Sequence, residues 1–268
     1  MPKAKINDVE INYKLDGDGN ETVVILNGIM MSTASWQDFV PFYKKNNHQL
    51  LRVDFRDQGG SSKYEKDYDV SIHVEDLKGL LDHLNIDKVH IVGISYGAMV
   101  GILFELKYSE MVSTLILSNT EAKVTQYLKS VSNVWEEASR LKDGKKFFKF
   151  SMPFIYSDYF YNNNWEWLEE REDVLANSLT DEWFEALIRL SKSSKDFDIM
   201  DEVENIKSPT LLIAGSRDQL TPVYEMNKIY ERIEDAKMLI IQNAGHASCY
   251  EKMDEFNTAV LGFIAVNK

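Results

Sequence analysis

Val89-His90-Ile91-Val92-Gly93-Ile94-Ser95-Tyr96-Gly97-Ala98-Met99-Val100-Gly101 is the stretch whose reading decides the fold. Its first four residues are short, β-rich and largely apolar, as in a strand buried on both faces of a parallel sheet. Residues 98–106 carry apolar side chains at helical spacing and no proline, which predicts a helix. Between them, Gly93-Ile94-Ser95-Tyr96-Gly97 matches Gly-x-Ser-x-Gly, a nucleophile elbow with one serine at the tip of a strand-to-helix turn. Such a turn crowds its neighbours, and only a missing Cβ leaves room for the serine's strained backbone. The serine Oγ then stands clear of the sheet, where backbone N–H groups at a helix N-terminus can receive a developing negative charge. The competing readings are helix–strand packing by Gly93, Gly97 and Gly101, or a dinucleotide loop. The second lacks the Gly-x-Gly-x-x-Gly spacing.

Strand and helix alternate on both sides of this stretch. Residues 3–15 read as a β-hairpin around Asn7-Asp8, with Ile6, Val9, Ile11, Tyr13 and Leu15 largely alternating. Residues 22–26 form the first buried strand and end in Asn27-Gly28-Ile29-Met30. Ser32 or Ser35 caps a helix through Trp36, Phe39 and Phe42. A strand over 49–53 leads into the polar, glycine-rich loop 54–62, and an amphipathic helix follows over 70–84. A strand over 114–117 comes after the central helix. Beyond it the rhythm resumes with strands over 210–214 and 237–241 and helices over 223–233 and 251–266. This alternation predicts βαβ units and a mainly parallel sheet flanked by helices, an α/β fold. Ligands in such sheets sit at the strand carboxyl ends. Asn27-Gly28-Ile29, loop 54–62, Ser95 and Asn119-Thr120-Glu121 should therefore share one crevice.

Residues 123–197 break the rhythm. They are helical in texture and rich in aromatics, among them Tyr127, Trp135, Phe154 and Tyr156. The expected organisation is a core of residues 1–122 and 198–268 with residues 123–197 inserted as a helical cap over the crevice. Most of its aromatics must form the insert's own core, and about a third are expected to face the pocket. Met30, Trp36, Tyr127, Trp135 and Phe154 are the candidate substrate contacts. The acidic run 166–173 reads as a solvated helix face.

Bulk properties narrow the class. With 268 residues, 44% hydrophobic and 27% charged, the chain is long enough for one large domain with an insert. A formal net charge of -13 disfavours nucleic acid and anionic membranes as partners. The single cysteine, Cys249, excludes an internal disulfide and fits a reducing compartment. No apolar run spans a bilayer and residues 1–12 hold no leader-like apolar segment, so a cytoplasmic protein, monomer or homodimer, is the expectation. No residue cluster has metal-ligand spacing and no loop cradles phosphate, so neither metal nor cofactor is expected.

Ser95, Asp218 and His246 stand at strand carboxyl ends in that order. Serine needs an adjacent base, His246 can take and return the proton near neutral pH, and a buried Asp218 would orient the imidazole. The chain resembles the α/β-hydrolase superfamily over essentially its whole length. Asn27-Gly28 resembles the family's His-Gly, and Asp54-Phe55-Arg56-Asp57-Gln58-Gly59-Gly60-Ser61 its Asp-x-Arg-Gly-x-Gly-x-Ser. Gly215-Ser216-Arg217-Asp218-Gln219-Leu220-Thr221-Pro222 resembles its Gly-x-x-Asp-x-x-x-Pro, and Ala244-Gly245-His246 its Gly-His ending. Asn27, Asp57 and Gln58 depart from the pattern without touching the triad.

The resemblance implies an oxyanion hole made by the backbone N–H groups of Ile29 and Tyr96, with Met30 the alternate to Ile29. Glu121 is a rival to Asp218 with a poorer loop motif. His48, His73, His83 and His90 read as structural, Cys249 as a bystander thiol, and Ser61 and Ser62 as loop-backbone partners. The implied activity is hydrolysis of a small, apolar ester, thioester or lactone through an acyl-enzyme. Leu117-Ser118-Asn119-Thr120-Glu121-Ala122-Lys123 is similar to a segment of 3-oxoadipate-type enol-lactonases. Carbon–carbon bond hydrolases share the triad, and a ligand-sensing regulator with an intact triad is the alternative from another class.

Overall fold

The alternation folds into one eight-stranded sheet in the computed structural model, which describes residues 2–267. The strands are β1 (Lys3–Ile6), β2 (Val9–Asp16), β3 (Glu21–Leu26), β4 (His48–Val53), β5 (Val89–Ile94), β6 (Val112–Ser118), β7 (Thr210–Gly215) and β8 (Ala236–Ile241). They lie in the order β1-β2-β4-β3-β5-β6-β7-β8. The hairpin β1–β2 and the pair β2–β4 are antiparallel, and every pairing from β4 to β8 is parallel. All carboxyl ends from β3 to β8 therefore open on one edge.

Side chains alternate faces along each strand, so the sheet divides the apolar residues into two cores. Val24, Leu26, Ile91, Leu115, Leu117 and Leu212 pack on one face, with α2 (Ile72–His83) and α3 (Tyr96–Tyr108) supplying Leu77, Leu80, Val100 and Phe104. Val23, Ile25, Val92, Ile116 and Ile213 pack on the other. There they meet Tyr43 of α1 (Val40–Lys45) and later chain segments, among them Phe256, Val260 and Ile264. The helix expected from Ser32 through Phe42 is split. Thr33–Phe39 is a 3₁₀ segment, and α1 begins only at Val40 with Pro41 in its first turn. Proline has no N–H to give, and the start of a helix is where that loss costs least.

Between β6 and β7 lie α4 (Gln126–Arg140), α5 (Gly144–Ile155), α6 (Asp158–Asn163), α7 (Trp165–Ser178) and α8 (Asp181–Ser193). Thr125, Asp143, Ser157 and Thr180 cap four of them, each side chain accepting a backbone N–H from the first turn. Where the insert leaves the core its two ends pair. Lys123 bridges Asp198, flanked by Val124 N–H to Phe197 O at 2.9 Å and Ile199 N–H to Ala122 O at 2.8 Å. After β7 come α9 (Val223–Tyr230), α10 (Ser248–Glu251) and α11 (Met253–Val266). The closing helix expected over 251–266 is α11, and the short α10 precedes it. Among the described residues no helix is long and apolar enough to cross a membrane.

Candidate active site

The elbow has the strain its sequence calls for. Ser95 sits at φ 52°, ψ −114°, a region that an L-residue occupies only when its surroundings force it. Its N–H donates to Ser118 O on β6 at 2.8 Å, fixing the turn against the neighbouring strand. The flanking glycines are steric requirements. A Cβ on Gly97 would lie 2.2 Å from Leu26 O, and one on Gly93 would lie 2.6 Å from Ala98 Cα.

Asp218 and His246 arrive from the loops after β7 and β8. His246 Nδ1 lies 2.8 Å from Asp218 Oδ2, so Nδ1–H donates and Nε2 is left as the basic nitrogen. Asp218 is buried and heavily solvated by the protein. Its Oδ2 also accepts from Asn119 Nδ2 at 2.8 Å and Thr221 Oγ1 at 2.7 Å, and its Oδ1 from the N–H groups of Leu220 and Thr221. Burial pushes this carboxyl upward. The His246 charge and the hydrogen bonds from His246, Asn119 and Thr221 outweigh it and hold the group below the usual carboxylate range. Asn119, placed by the sequence at a strand end in the shared crevice but with no role of its own, also accepts from Ser118 Oγ and Ser248 Oγ, at 2.8 and 2.6 Å. It ties the end of β6 and the start of α10 to the aspartate.

Ser95 and His246 line one cavity of about 150 Å³ beneath the insert, together with Ile29, Met30 and Trp135. Tyr96 opens α3, where an N–H has no intrahelical acceptor. Loop 27–31 faces it, and there Met31 N–H is already bonded to Gly28 O at 3.0 Å. The departures Asn27 and Gln58 brace that loop. Asn27 Nδ2 donates to Gln58 Oε1 at 3.0 Å, and Gln58 Nε2 to Gly28 O at 3.0 Å. Asp57 instead joins core loop to cap, accepting from Arg189 of α8 at 2.7 Å.

Three expected contacts lie elsewhere. Trp36 is fully buried in the sheet core and donates Nε1–H to Asn27 Oδ1 at 2.7 Å, so it supports the loop from behind. Tyr127 is 46% exposed on the outer side of α4. Phe154 packs half-buried against the cluster of Val131, Trp135 and Phe184. Of the insert's aromatics only Trp135 and Tyr156 reach the cavity, fewer than the expected third. The rest pack on one another, as Phe147 does edge-on to Trp183 and Phe184. Methionines take their place: Met31, Met99 and Met152 join Met30 in the lining, a pliable apolar surface. Arg171 also lines it, although it belongs to the acidic run expected to be solvated.

The rival groups have other duties. Glu121 Oε1 accepts from Thr125 N–H at 2.9 Å, and burial pushes its carboxyl up to about 7. His73 hydrogen-bonds Tyr96 Oη at 2.8 Å, and its burial, with Arg56 nearby, pushes it down to about 3. His90 bonds Thr114 Oγ1. Burial pushes the Cys249 thiol up to about 12, which leaves it unreactive.

Comparison with known proteins agrees with this architecture. An α/β hydrolase enzyme, MGS-M2, from a Medee basin deep-sea metagenome library is 41% identical with a TM-score of 0.95, covering 98% of this chain and 97% of that one. A 2-hydroxy-6-oxononadienedioate/2-hydroxy-6-oxononatrienedioate hydrolase of Pseudomonas putida is 26% identical, over 96% of this chain and 92% of its own. A 3-oxoadipate enol-lactonase of Acinetobacter baylyi is 24% identical, over 94% and 92%. The family described as alpha/beta hydrolase fold matches residues 21–253. With that match over most of its length, the chain belongs to the α/β-hydrolase fold family.

Proposed function

We propose that the protein is a serine hydrolase of small acyl compounds. Ser95 Oγ attacks the carbonyl while its proton passes to His246 Nε2. The tetrahedral oxyanion is received by the N–H groups of Ile29 and Tyr96. His246 returns the proton to the departing alcohol, leaving an acyl-Ser95 ester. A water deprotonated by the same imidazole then releases the acid and restores the serine. Asp218 holds the imidazole in one tautomer and balances its positive charge. One observation carries this reading: a serine at a strained φ of 52° shares a cavity with a histidine whose Nδ1 is bonded to a buried aspartate. The cavity's methionine, leucine and isoleucine lining favours a compact apolar acyl or ring substrate, a lactone included.

A second reading has the same residues hydrolyse a carbon–carbon bond. It is favoured by the Pseudomonas putida relative, whose named compound bears a ketone and no ester. The test is steady-state hydrolysis of a short p-nitrophenyl ester by wild type, Ser95→Ala, His246→Ala and the double variant. Multiple turnover in wild type is expected, with each single variant losing nearly all of it and the double variant little worse, because such residues act as a unit. Additive losses count against the assignment. A single burst without turnover favours a ligand sensor.

A further inference from the structure

Acyl transfer leaves one property of the cavity unused. Arg171, on α7, is the single permanently charged side chain lining it among the described residues. The acids beside it in sequence point elsewhere: Glu172 pairs with Lys149 and Asp173 with Lys145. Three and four residues away on its own helix stand Trp167, Leu168, Val174 and Leu175, so no carboxylate of α7 shares its face. The guanidinium lies 5.9 Å from the centre of the Trp167 ring. Tyr156 lines the same cavity. Trp135, also in the lining, is 6% exposed and its buried Nε1–H has no acceptor in the protein.

Buried donors without acceptors are costly and uncommon in folded proteins. One such donor, the Trp135 indole N–H, shares the cavity lining with Arg171 and Tyr156, all three from the insert. We propose that the substrate carries a carboxylate at the end remote from its scissile carbonyl, bound by Arg171, with Tyr156 and Trp135 as further donors. This rests on the serine-hydrolase reading for the orientation of the substrate, whereas the anion site itself does not. The planar guanidinium matches a carboxylate in a two-pronged pair. One cation balances one negative charge, and a dianionic phosphate would bring excess charge into an apolar space. A chain of net charge -13 repels anions at long range, so holding one requires a dedicated cation.

Monomethyl adipate and methyl hexanoate separate the idea cleanly, since they differ by a carboxylate in place of a terminal methyl. Their hydrolysis is followed by pH-stat in wild type, Arg171→Met and Arg171→Lys, with circular dichroism to confirm folding. Wild type should favour monomethyl adipate in kcat/KM about ten- to a hundredfold, the range of a charge-assisted hydrogen bond. Arg171→Met should bring that ratio to about one, with Arg171→Lys between. A ratio equal in wild type and Arg171→Met, or a wild-type preference for methyl hexanoate, overturns the proposal. Calorimetric titration with the dicarboxylates from succinate to suberate supplies a readout without turnover. Binding to wild type and Ser95→Ala that is lost in Arg171→Met sustains the anion site even where neither ester is cleaved, and in that case the hydrolase reading is what falls. Dicarboxylates that bind wild type no better than Arg171→Met refute the site.

Discussion

Replacing Asn119 tests how Asp218 is held. The amide gives Asp218 Oδ2 a hydrogen bond of 2.8 Å to a charged acceptor, a type worth about 1.5–3 kcal/mol. Asn119 also sits at φ 49°, where alanine costs about 1 kcal/mol more than asparagine. Ser118 and Ser248 lose an acceptor, but their hydroxyls can rotate toward other partners. Asn119→Ala should therefore cost about 3 kcal/mol, read as a lowered urea midpoint. Removing a donor to the charged form raises the Asp218 pKa, so the stability that ionised Asp218 contributes should be lost at a higher pH on acidification than in wild type. Asn119→Asp keeps the left-handed backbone but sets a second carboxylate against the first. Its loss should be larger at neutral pH and relieved in acid. An Asn119→Ala variant within about 0.5 kcal/mol of wild type, with its acid-unfolding midpoint unmoved, would refute the reasoning.

Other outcomes follow from the same geometry. Glu121, raised to about 7 by burial, is neutral in the folded protein at pH values where a free glutamate is charged. Its stabilising preference is complete below pH 4.5 and is lost as pH rises through 7, a fall of about 3 kcal/mol. Glu121→Gln should remove most of that fall in urea titrations at pH 5 and 8. Arg189→Met leaves the buried Asp57 with only Tyr68 Oη and Tyr64 N–H as donors, and a loss of about 3 kcal/mol with faster proteolysis within residues 123–197 is expected. Gly97→Ala places a methyl against backbone at 2.2 Å, with no flexible neighbour to give way. The elbow should then fail to form, seen as loss of soluble protein or of all the hydrolysis proposed above.

The parts legible in the sequence are those written in local spacing. The two glycines around Ser95 announce a turn too tight for side chains, and the strand alternation orders the three loops that bear Ser95, Asp218 and His246. What escapes depends on which apolar surface a side chain meets. Trp36 has the same chemistry whether it faces ligand or core; its indole N–H finds Asn27, a partner known only once β3 and the 3₁₀ segment lie together. Tyr127 and Trp135 share α4, yet one faces solvent and the other the cavity. Arg171 leaves a trace, standing on the Leu168–Leu175 stripe of an otherwise acidic run. Asn119 leaves almost none of its role, since Asp218 and Ser248, two of its partners, come from segments far away in sequence.

The paired ends of the insert have a consequence for how the chain folds. β6 and β7 are neighbours in the sheet, Leu115 opposite Thr210, although all five cap helices come between them. Closing so long a loop costs entropy before any strand pairing offsets it. Helices form from nearby residues, and once α4 packs on α8 the residues flanking Lys123 and Asp198 are delivered side by side. The waist then acts as a clasp, and β7 has only a short distance left to travel before it zips onto β6. The insert is thus expected to help the chain fold as well as to roof the cavity, and a variant that loosens α4 from α8 should show most of its lost stability as slower folding and little as faster unfolding.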